Sequence, residues 1–173
     1  MKNSNIHFFF DMDGVLAKWS NVSVEETCEK GFFSTRDPEP CIIEALKQMQ
    51  NHGYDVSILS SVYQDDHSSK DKVEWLDMMG LGLIPRIFVP YGEKKADYLE
   101  GSKSEGGVNI LVDDFSKNLR EWVDTGEHFV GIKFMNGING TKGTWNGYLV
   151  SNKMTSAMLV NAITGIARAE AMA

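Results

Sequence analysis

Short apolar runs alternate with longer amphipathic segments along most of the chain. The runs are too short for helices and rich in β-branched or aromatic residues, so strands are predicted at 6–10, 56–59, 87–89, 108–112 and 129–134. Helices are predicted at 40–51, 70–79, 94–99, around 119–123 and at 154–169. Glycine-rich loops are predicted at 101–107 and 136–147, with a late strand after them. This alternation predicts an α/β, Rossmann-like fold in which helices cover both faces of a parallel sheet, giving three layers.

Two carboxylates directly follow the first predicted strand. Asp11 and Asp13 come just after the run 6–10, and Gly14 lets the chain turn there at little steric cost. Both acids are therefore expected at the carboxyl edge of the sheet, where open α/β sheets bind ligands. This layout is typical of aspartate phosphoryl transfer, in which one carboxylate attacks phosphorus and the other handles protons. Two acids around a phosphate also need a cation, and Mg²⁺ is expected because it takes hard oxygen ligands.

Polar groups at the ends of other predicted elements support this interpretation. On its own, an acidic pair after an apolar run would equally suit a solvated turn or a helix cap. The further groups, each at the end of a strand or the start of a helix, are Ser60 and Ser61, Lys94 and Lys95, and Asp113 and Asp114. They supply a hydroxyl donor, a cation and a second pair of acids. Adjacent carboxylates repel unless a cation intervenes, which supports a metal function for at least one of the last pair.

These motifs, in this order, resemble those of the haloacid dehalogenase superfamily. The likeness to the 5'(3')-deoxyribonucleotidases is closer, and three segments carry it: Asp-Met-Asp-Gly-Val-Leu-Ala at 11–17, Gly-Phe-Phe at 31–33 ahead of Glu39-Pro40, and Lys-Val-Glu-Trp-Leu at 72–76. The resemblance implies one domain spanning 1–173, with a small cap insertion at 18–40 over the active site. The insertion is shorter than in those nucleotidases, which leaves base preference open.

The resemblance also implies roles for the acids. Asp11 would be the nucleophile and a metal ligand, and Asp13 would be the general acid and base, with its backbone carbonyl on the metal. Asp113 and Asp114 would complete the metal site, and the sequence does not decide which of them touches the ion. Asn118 could hold the Asp113 region in place.

The hydroxyl and the cation are assigned in the same way. Ser60 would donate to the phosphoryl oxygens, while Ser61 would either make an adjacent contact or cap the next turn. Lys95 is expected to hold the phosphoryl group and offset the charge of the nucleophile, although Lys94 is adjacent and remains an alternative.

The predicted cap carries aromatic side chains that could recognise a nucleobase. Trp19 and Phe33, with Phe32, offer faces for stacking, an interaction worth about 1 to 3 kcal/mol per base in proteins that bind single strands. The alternative is that these rings bury the cap against the sheet, as most aromatic residues do.

Composition narrows the partners and the compartment. A formal net charge of −7 argues against a nucleic-acid polymer, which needs a basic surface, but allows a mononucleotide neutralised by a metal and lysines. Cys28 and Cys41 form no close pair, so a metal cluster or disulfide framework is not expected. The apolar stretch ahead of Asp11 is too short for a signal peptide or a membrane span, which favours a cytoplasmic protein with no membrane partner. The oligomeric state, a homo-oligomer included, stays open.

The sequence therefore predicts a magnesium-dependent phosphomonoesterase that works through an aspartyl-phosphate. The preferred substrate is a nucleoside monophosphate, as for a 5'(3')-(deoxy)ribonucleotidase. One alternative is a phosphatase for another small phosphomonoester such as a sugar phosphate, since fold and motifs fix the chemistry better than the leaving group. A second is a non-catalytic module that binds a phosphorylated ligand, against which the intact acid set argues.

Overall fold

A parallel β-sheet forms the centre of the molecule in a computed structural model that describes residues 6–65, 67–99, 107–140 and 144–173. The strands are β1 (Ile6–Phe10), β2 (Asp55–Val62), β3 (Arg86–Pro90), β4 (Val108–Asp113), β5 (Phe129–Met135) and β6 (Tyr148–Ser151). Their order across the sheet is β3-β2-β1-β4-β5-β6, and every neighbouring pair is parallel. This is the strand order of the Rossmann fold. The order in which successive strands are added reverses between β1 and β4, although all strands point the same way.

Helices cover both faces of this sheet. They are α1 (Val24–Thr27), α2 (Pro40–Asn51), α3 (Ser68–Met78), α4 (Ser116–Val123) and α5 (Ser156–Glu170), with 3-10 turns at Phe33–Thr35 and Lys95–Tyr98. Alternate residues of a strand point to opposite faces. Accordingly, Phe8 and Phe10 pack in the core under α2 and α5, whereas Phe9 packs with Trp122 of α4 on the other side. The predicted three-layer α/β fold is confirmed.

Several element boundaries differ from the predictions for local reasons. Strand β2 continues through Ser60 and Ser61 because both residues pair with β3. Helix α3 begins at Ser68 rather than at residue 70, since the Asp65 carboxylate accepts hydrogen bonds from the backbone amides of His67 and Ser68.

Two further helices differ from their predictions, one in type and one in its first residue. Of the segment 94–99, only Lys95–Tyr98 forms a 3-10 turn, since Lys94 and Leu99 have extended backbone. Helix α5 starts at Ser156, where the Thr155 hydroxyl caps it by accepting from the Met158 amide. The predicted loop at 101–107 lies outside the described residues except for Gly107.

The insertion after β1 leaves and rejoins the sheet at one place. A bridge between Ala17 and Pro38 closes its base, and the Lys18 amide donates to the Asp37 carbonyl at 2.8 Å. Between these ends lie α1 and the 3-10 turn Phe33–Thr35. This insertion, residues 18–40, is called the cap.

Helix α3 anchors this cap. The Trp75 indole N–H donates to the Arg36 carbonyl at 2.7 Å, and the Asp71 carboxylate accepts from the Gly31 amide at 2.7 Å. Trp75 is fully buried, so its bond is shielded from water. These two bonds tie the cap to α3. Among the described residues, no helix is both long enough and apolar enough to cross a bilayer.

Candidate active site

Strand register brings the acids together at the carboxyl edge of β1 and β4. Phe10 pairs with Val112, so the next residues, Asp11 and Asp113, follow side by side on neighbouring strands. The Asp11 amide extends this ladder by donating to the Val112 carbonyl at 2.9 Å. Each of Asp11, Asp113 and Asp114 offers an oxygen atom, and these atoms all lie within 4.8 Å of one another. Such a group of hard oxygen ligands suits a divalent cation.

A buried lysine bridges two of these carboxylates. The Lys95 ammonium lies 2.9 Å from Asp11 Oδ1 and 2.7 Å from Asp113 Oδ2. Burial alone would lower the pKa of Lys95, but the two carboxylates more than offset it, so the pKa is raised and the lysine stays charged. Its neighbour Lys94 is exposed and is not among the residues that line the cavity described below.

A second buried lysine lies on the other side of the site. Lys72 of α3 pairs with Asp13 Oδ2 and also donates to Ser60 Oγ at 3.0 Å and to the Ser61 carbonyl at 2.6 Å. Its ammonium also sits 4.5 Å from the centre of the Phe33 ring. The Ser60 hydroxyl is therefore engaged by Lys72, and Ser61 contributes its carbonyl here.

Asp113 accepts hydrogen bonds from the start of α4, and Asp114 packs against the turn after β1. Asp113 Oδ1 accepts from the Phe115 amide at 2.8 Å, and its Oδ2 accepts from the Asn118 side chain at 3.0 Å. Asp114 packs against Gly14, which has a φ of +76°. A Cβ at Gly14 would lie 2.2 Å from Asp114 Oδ2, so only glycine fits at this contact.

The pKa values of three carboxylates in the site are raised, which shows that the nearby lysines do not fully compensate their negative charge. Burial raises the pKa of Asp113, and the neighbouring Asp11 raises it further against the lowering effect of Lys95. Burial raises the pKa of Asp114 well above its usual range, with Asp113 and Asp11 adding to the effect. Burial likewise raises the pKa of Asp13, although Lys72 opposes this. A bound cation would relieve this repulsion, which is the electrostatic condition for a metal site.

A cavity of about 440 Å³ opens above the acids, between the cap and the sheet edge. Asp11, Asp13 and Asp114 line one end of it. The aromatic side chains along the walls are Trp19, Phe33, Tyr63, Tyr91 and Phe115. Phe33 is only 3% exposed and contacts the rings of Phe32 and Tyr63, while Tyr91 is 70% exposed. The volume lies within the usual range for a small-molecule site.

The structure thus brings together most of the residues singled out in the sequence. Asp11, Asp113 and Asp114 form one cluster with Lys95, and Asp13 pairs with Lys72. Trp19, Phe33 and Ser61 line the cavity, whereas Lys94 does not. The sequence analysis did not place Lys72 in the site. Lys72 is fully buried in α3, whereas the neighbouring apolar residue Val73 is only half-buried. The available clue was that Lys72 shares the helical spacing of Trp75 and Leu76.

The comparison with protein families decides what kind of site this is. The family model for "5' nucleotidase, deoxy (Pyrimidine), cytosolic type C protein" matches residues 24–140, more than half of the chain. The chain belongs to this family. Members of the type C 5' nucleotidase family are hydrolases acting on phosphoric monoesters, so the chain is a phosphomonoesterase and the alternative of a non-catalytic module is not supported.

Individual relatives agree with the family. Proteins of Staphylococcus aureus strains MSSA476 and MW2, each named "Putative 5'(3')-deoxyribonucleotidase", are 28% identical over 131 residues. The match covers 67% of this chain and 72% of theirs. These matches confirm the family predicted from the sequence motifs, a nucleotidase of the haloacid dehalogenase type.

A solved structure confirms the fold. The chain superposes on the D,D-heptose 1.7-bisphosphate phosphatase of B. bronchiseptica, crystallised with magnesium and phosphate, with a TM-score of 0.65. The superposition covers 94% of this chain and 99% of the other, at 12% sequence identity. At that identity the likeness concerns the fold and leaves the substrate open.

Proposed function

We propose that the protein is a magnesium-dependent 5'(3')-(deoxy)ribonucleotidase that hydrolyses nucleoside monophosphates through an aspartyl-phosphate at Asp11. The observation that carries this proposal is the cluster of Asp11, Asp113 and Asp114 with the Lys95 ammonium between the first two. It lies at the end of a cavity large enough for a mononucleotide. Family membership and the S. aureus relatives support a nucleotide as substrate.

The acid cluster fits a magnesium ion. Mg²⁺ binds oxygen ligands at about 2.0 to 2.1 Å and keeps some positions for water or substrate phosphate. One carboxylate oxygen from each of the three acids lies within 4.8 Å of the other two, a spacing that suits a shared cation. The residues that would hold it are Asp11, Asp113 and Asp114. When bound, the ion neutralises charge on the transferring phosphoryl group.

In the first step, an Asp11 carboxylate oxygen attacks phosphorus, and the bond from phosphorus to the ester oxygen breaks. Asp13 then donates its proton to the departing oxygen, which leaves as the nucleoside hydroxyl. Burial raises the pKa of Asp13, and its Oδ1 is buried without a hydrogen-bond partner among the described residues. That oxygen is therefore available to carry the proton.

In the second step, water attacks the phosphorus of the aspartyl-phosphate. Asp13, now ionised, takes the proton from the water, the Asp11–phosphorus bond breaks, and inorganic phosphate is released. Lys95 stays paired with the Asp11 carboxylate before and after the reaction and stabilises the charge on the phosphoryl oxygens in between. Lys72 orients Asp13 and keeps the Ser60 hydroxyl at the same end of the site.

The cap would recognise the nucleoside. Trp19 is half-buried, lines the cavity and is supported edge-on by Phe32, with ring centres 5.9 Å apart. It is the proposed stacking partner for the base. Phe33 is almost fully buried and contacts Lys72, so its main contribution is expected to be packing of the cap.

A substrate panel tests the assignment. Phosphate release is measured from 5'- and 3'-deoxynucleoside and ribonucleoside monophosphates and from sugar phosphates, each with Mg²⁺ and with EDTA. We expect Mg²⁺-dependent release that favours nucleotides in the wild type and is lost in Asp11→Asn. Release from sugar phosphates alone would contradict the nucleotidase assignment but keep the chemistry.

The covalent intermediate has its own test. Asp13→Asn should still form the aspartyl-phosphate from p-nitrophenyl phosphate, whose leaving group needs no proton, but should hydrolyse it slowly. We expect a burst of one p-nitrophenolate per active site followed by slow turnover. The same burst in the Asp11→Asn variant, or slow linear release without a burst in Asp13→Asn, would contradict nucleophilic attack by Asp11.

A further inference from the structure

An asparagine just after β5 contacts two parts of the acid site at once. The Asn136 side-chain amide donates to the Gly14 carbonyl at 2.9 Å and to Asp114 Oδ2 at 3.1 Å. Gly14 follows the first acidic motif and Asp114 belongs to the last, 100 residues further along the chain. Asn136 therefore joins the turn after β1 to Asp114, a predicted metal ligand directly after β4.

The orientation of this amide is fixed by its other contacts. Asn136 Oδ1 accepts from the backbone amides of Ile138 at 3.3 Å and Asn139 at 3.2 Å. Since these donors require an oxygen, the NH₂ group must face the Gly14 carbonyl and the Asp114 carboxylate. The reverse orientation would set the amide oxygen against two acceptors.

The backbone of Asn136 is equally well held. Its amide donates to Asn139 Oδ1 at 2.9 Å, and its carbonyl accepts from the Asn152 side chain at 2.9 Å. Asn139 in turn donates to the carbonyls of Asp114 at 3.1 Å and Phe134 at 2.9 Å. The loop is thus anchored to the end of β5, to the segment after β6 and to the acid motif.

Asp114 is consequently held from two sides. One oxygen packs against Gly14, where a Cβ would lie only 2.2 Å away, and the same oxygen accepts the Asn136 bond. A neutral amide orients a carboxylate without cancelling its charge, whereas a lysine at this place would compete with a cation. Donors of this kind around metal ligands typically change metal affinity 10- to 100-fold when they are removed.

From this geometry we infer that Asn136 is a positioning residue that holds Asp114 in the orientation needed to bind Mg²⁺. The inference rests on the proposed function, because it assumes that the acid cluster binds this ion. Asn136 contacts neither the nucleophile nor Lys95 among the described residues, so its effect should appear in metal affinity rather than in substrate binding.

Asn152→Ala is a matched control for Asn136→Ala. Asn152 donates to the Asn136 carbonyl and, at 3.4 Å, to Glu39, but makes no hydrogen bond to Asp114 in the described part of the chain. Both variants therefore lose loop hydrogen bonds, and only one loses the bond to the carboxylate. Asn136→Ser is a second variant, because a hydroxyl can accept the loop amides yet is too short to reach Asp114 and Gly14 together.

The test measures Mg²⁺ binding by isothermal titration calorimetry and the melting temperature in EDTA. We expect Asn136→Ala and Asn136→Ser to bind Mg²⁺ about 10- to 100-fold more weakly. Asn152→Ala should stay within about threefold of the wild type while its melting temperature in EDTA falls. At saturating Mg²⁺, the KM for p-nitrophenyl phosphate should be unchanged in all three.

Each other outcome has one meaning. Wild-type Mg²⁺ affinity in both Asn136 variants would overturn the positioning role while leaving the proposed function intact. Equal losses of affinity in Asn152→Ala and Asn136→Ala would also overturn it, because the loop alone would then explain the effect. A wild type that binds no Mg²⁺ would contradict the proposed function itself, and this inference with it.

Discussion

Replacing Lys95 by methionine removes the charge that two buried carboxylates share. Lys95 is 5% exposed, and its ammonium contacts Asp11 at 2.9 Å and Asp113 at 2.7 Å. Methionine keeps much of the side-chain volume but none of the charge. Breaking a buried ion pair by removing one partner costs about 3 to 5 kcal/mol, because the remaining charge is uncompensated.

This cost translates into measurable changes in EDTA. For a chain of this size, 1 kcal/mol shifts the melting temperature by about 2 to 4 °C. Lys95→Met should therefore melt about 6 to 20 °C below the wild type. Saturating Mg²⁺ should recover part of the loss, since the ion supplies positive charge to the same carboxylates.

Activity should fall as well. Loss of one preorganised donor to a developing anion typically lowers the rate 10²- to 10³-fold. We expect a reduction of about this size in kcat/KM for Lys95→Met, measured at saturating Mg²⁺ and at a temperature where the variant is folded.

The adjacent lysine provides the control. Lys94 is exposed and makes no ion pair among the described residues, so Lys94→Met should keep kcat/KM within about twofold and change the free energy of unfolding by less than about 0.5 kcal/mol. The reasoning is refuted if Lys94→Met is the variant that loses activity, or if Lys95→Met matches the wild type in both stability and kcat/KM.

Three further predictions concern the glycine turn, the cap and the acid cluster. Gly14→Ala should lower Mg²⁺ affinity at least tenfold in calorimetry, because the added Cβ would displace Asp114; unchanged affinity would contradict the close packing. Trp19→Ala should raise the KM for nucleotides about 5- to 150-fold, from about 1 to 3 kcal/mol of stacking, but leave the KM for p-nitrophenyl phosphate unchanged; equal effects on both substrates would argue against stacking. In EDTA at pH 7, Asp114→Asn should be more stable than the wild type to urea. The difference in free energy of unfolding between the variant and the wild type should narrow as the pH falls. Burial raises the pKa of Asp114 above its value in the unfolded chain. The folded wild type therefore takes up a proton on acidification and regains the stability that the buried charge costs it at high pH. A difference that widens on acidification would contradict this sign.

Hydrophobic patterning was sufficient to predict most of the fold. Strand β1 and helix α2 lie where the apolar residues predicted them. The spacing of apolar residues follows the geometry of a single strand or helix with a buried face, so it can be read without knowing the rest of the fold. The boundaries that moved depend on partners elsewhere. Strand β2 is longer than predicted because it pairs with β3, and α3 starts earlier because the Asp65 carboxylate accepts from the amides of His67 and Ser68.

The sequence also indicated that several candidate site residues lie at the same edge of the sheet. Asp11, Ser60 and Asp113 each follow or end an apolar run, and parallel strands present their carboxyl ends at one edge. Their proximity therefore follows from the topology. The catalytic roles assigned to them remain predictions for the experiments above.

Only the tertiary structure decided which polar groups complete the site. The sequence favoured Lys95 but left the adjacent Lys94 as an alternative, whereas packing buries Lys95 and exposes Lys94. Lys72 meets Asp13 across 59 residues, and Asn136 meets Gly14 across 122. Such contacts depend on how helices and loops pack onto the edge of the sheet. Each of them involves a single side chain, so they produce no repeating pattern by which the sequence alone would predict them.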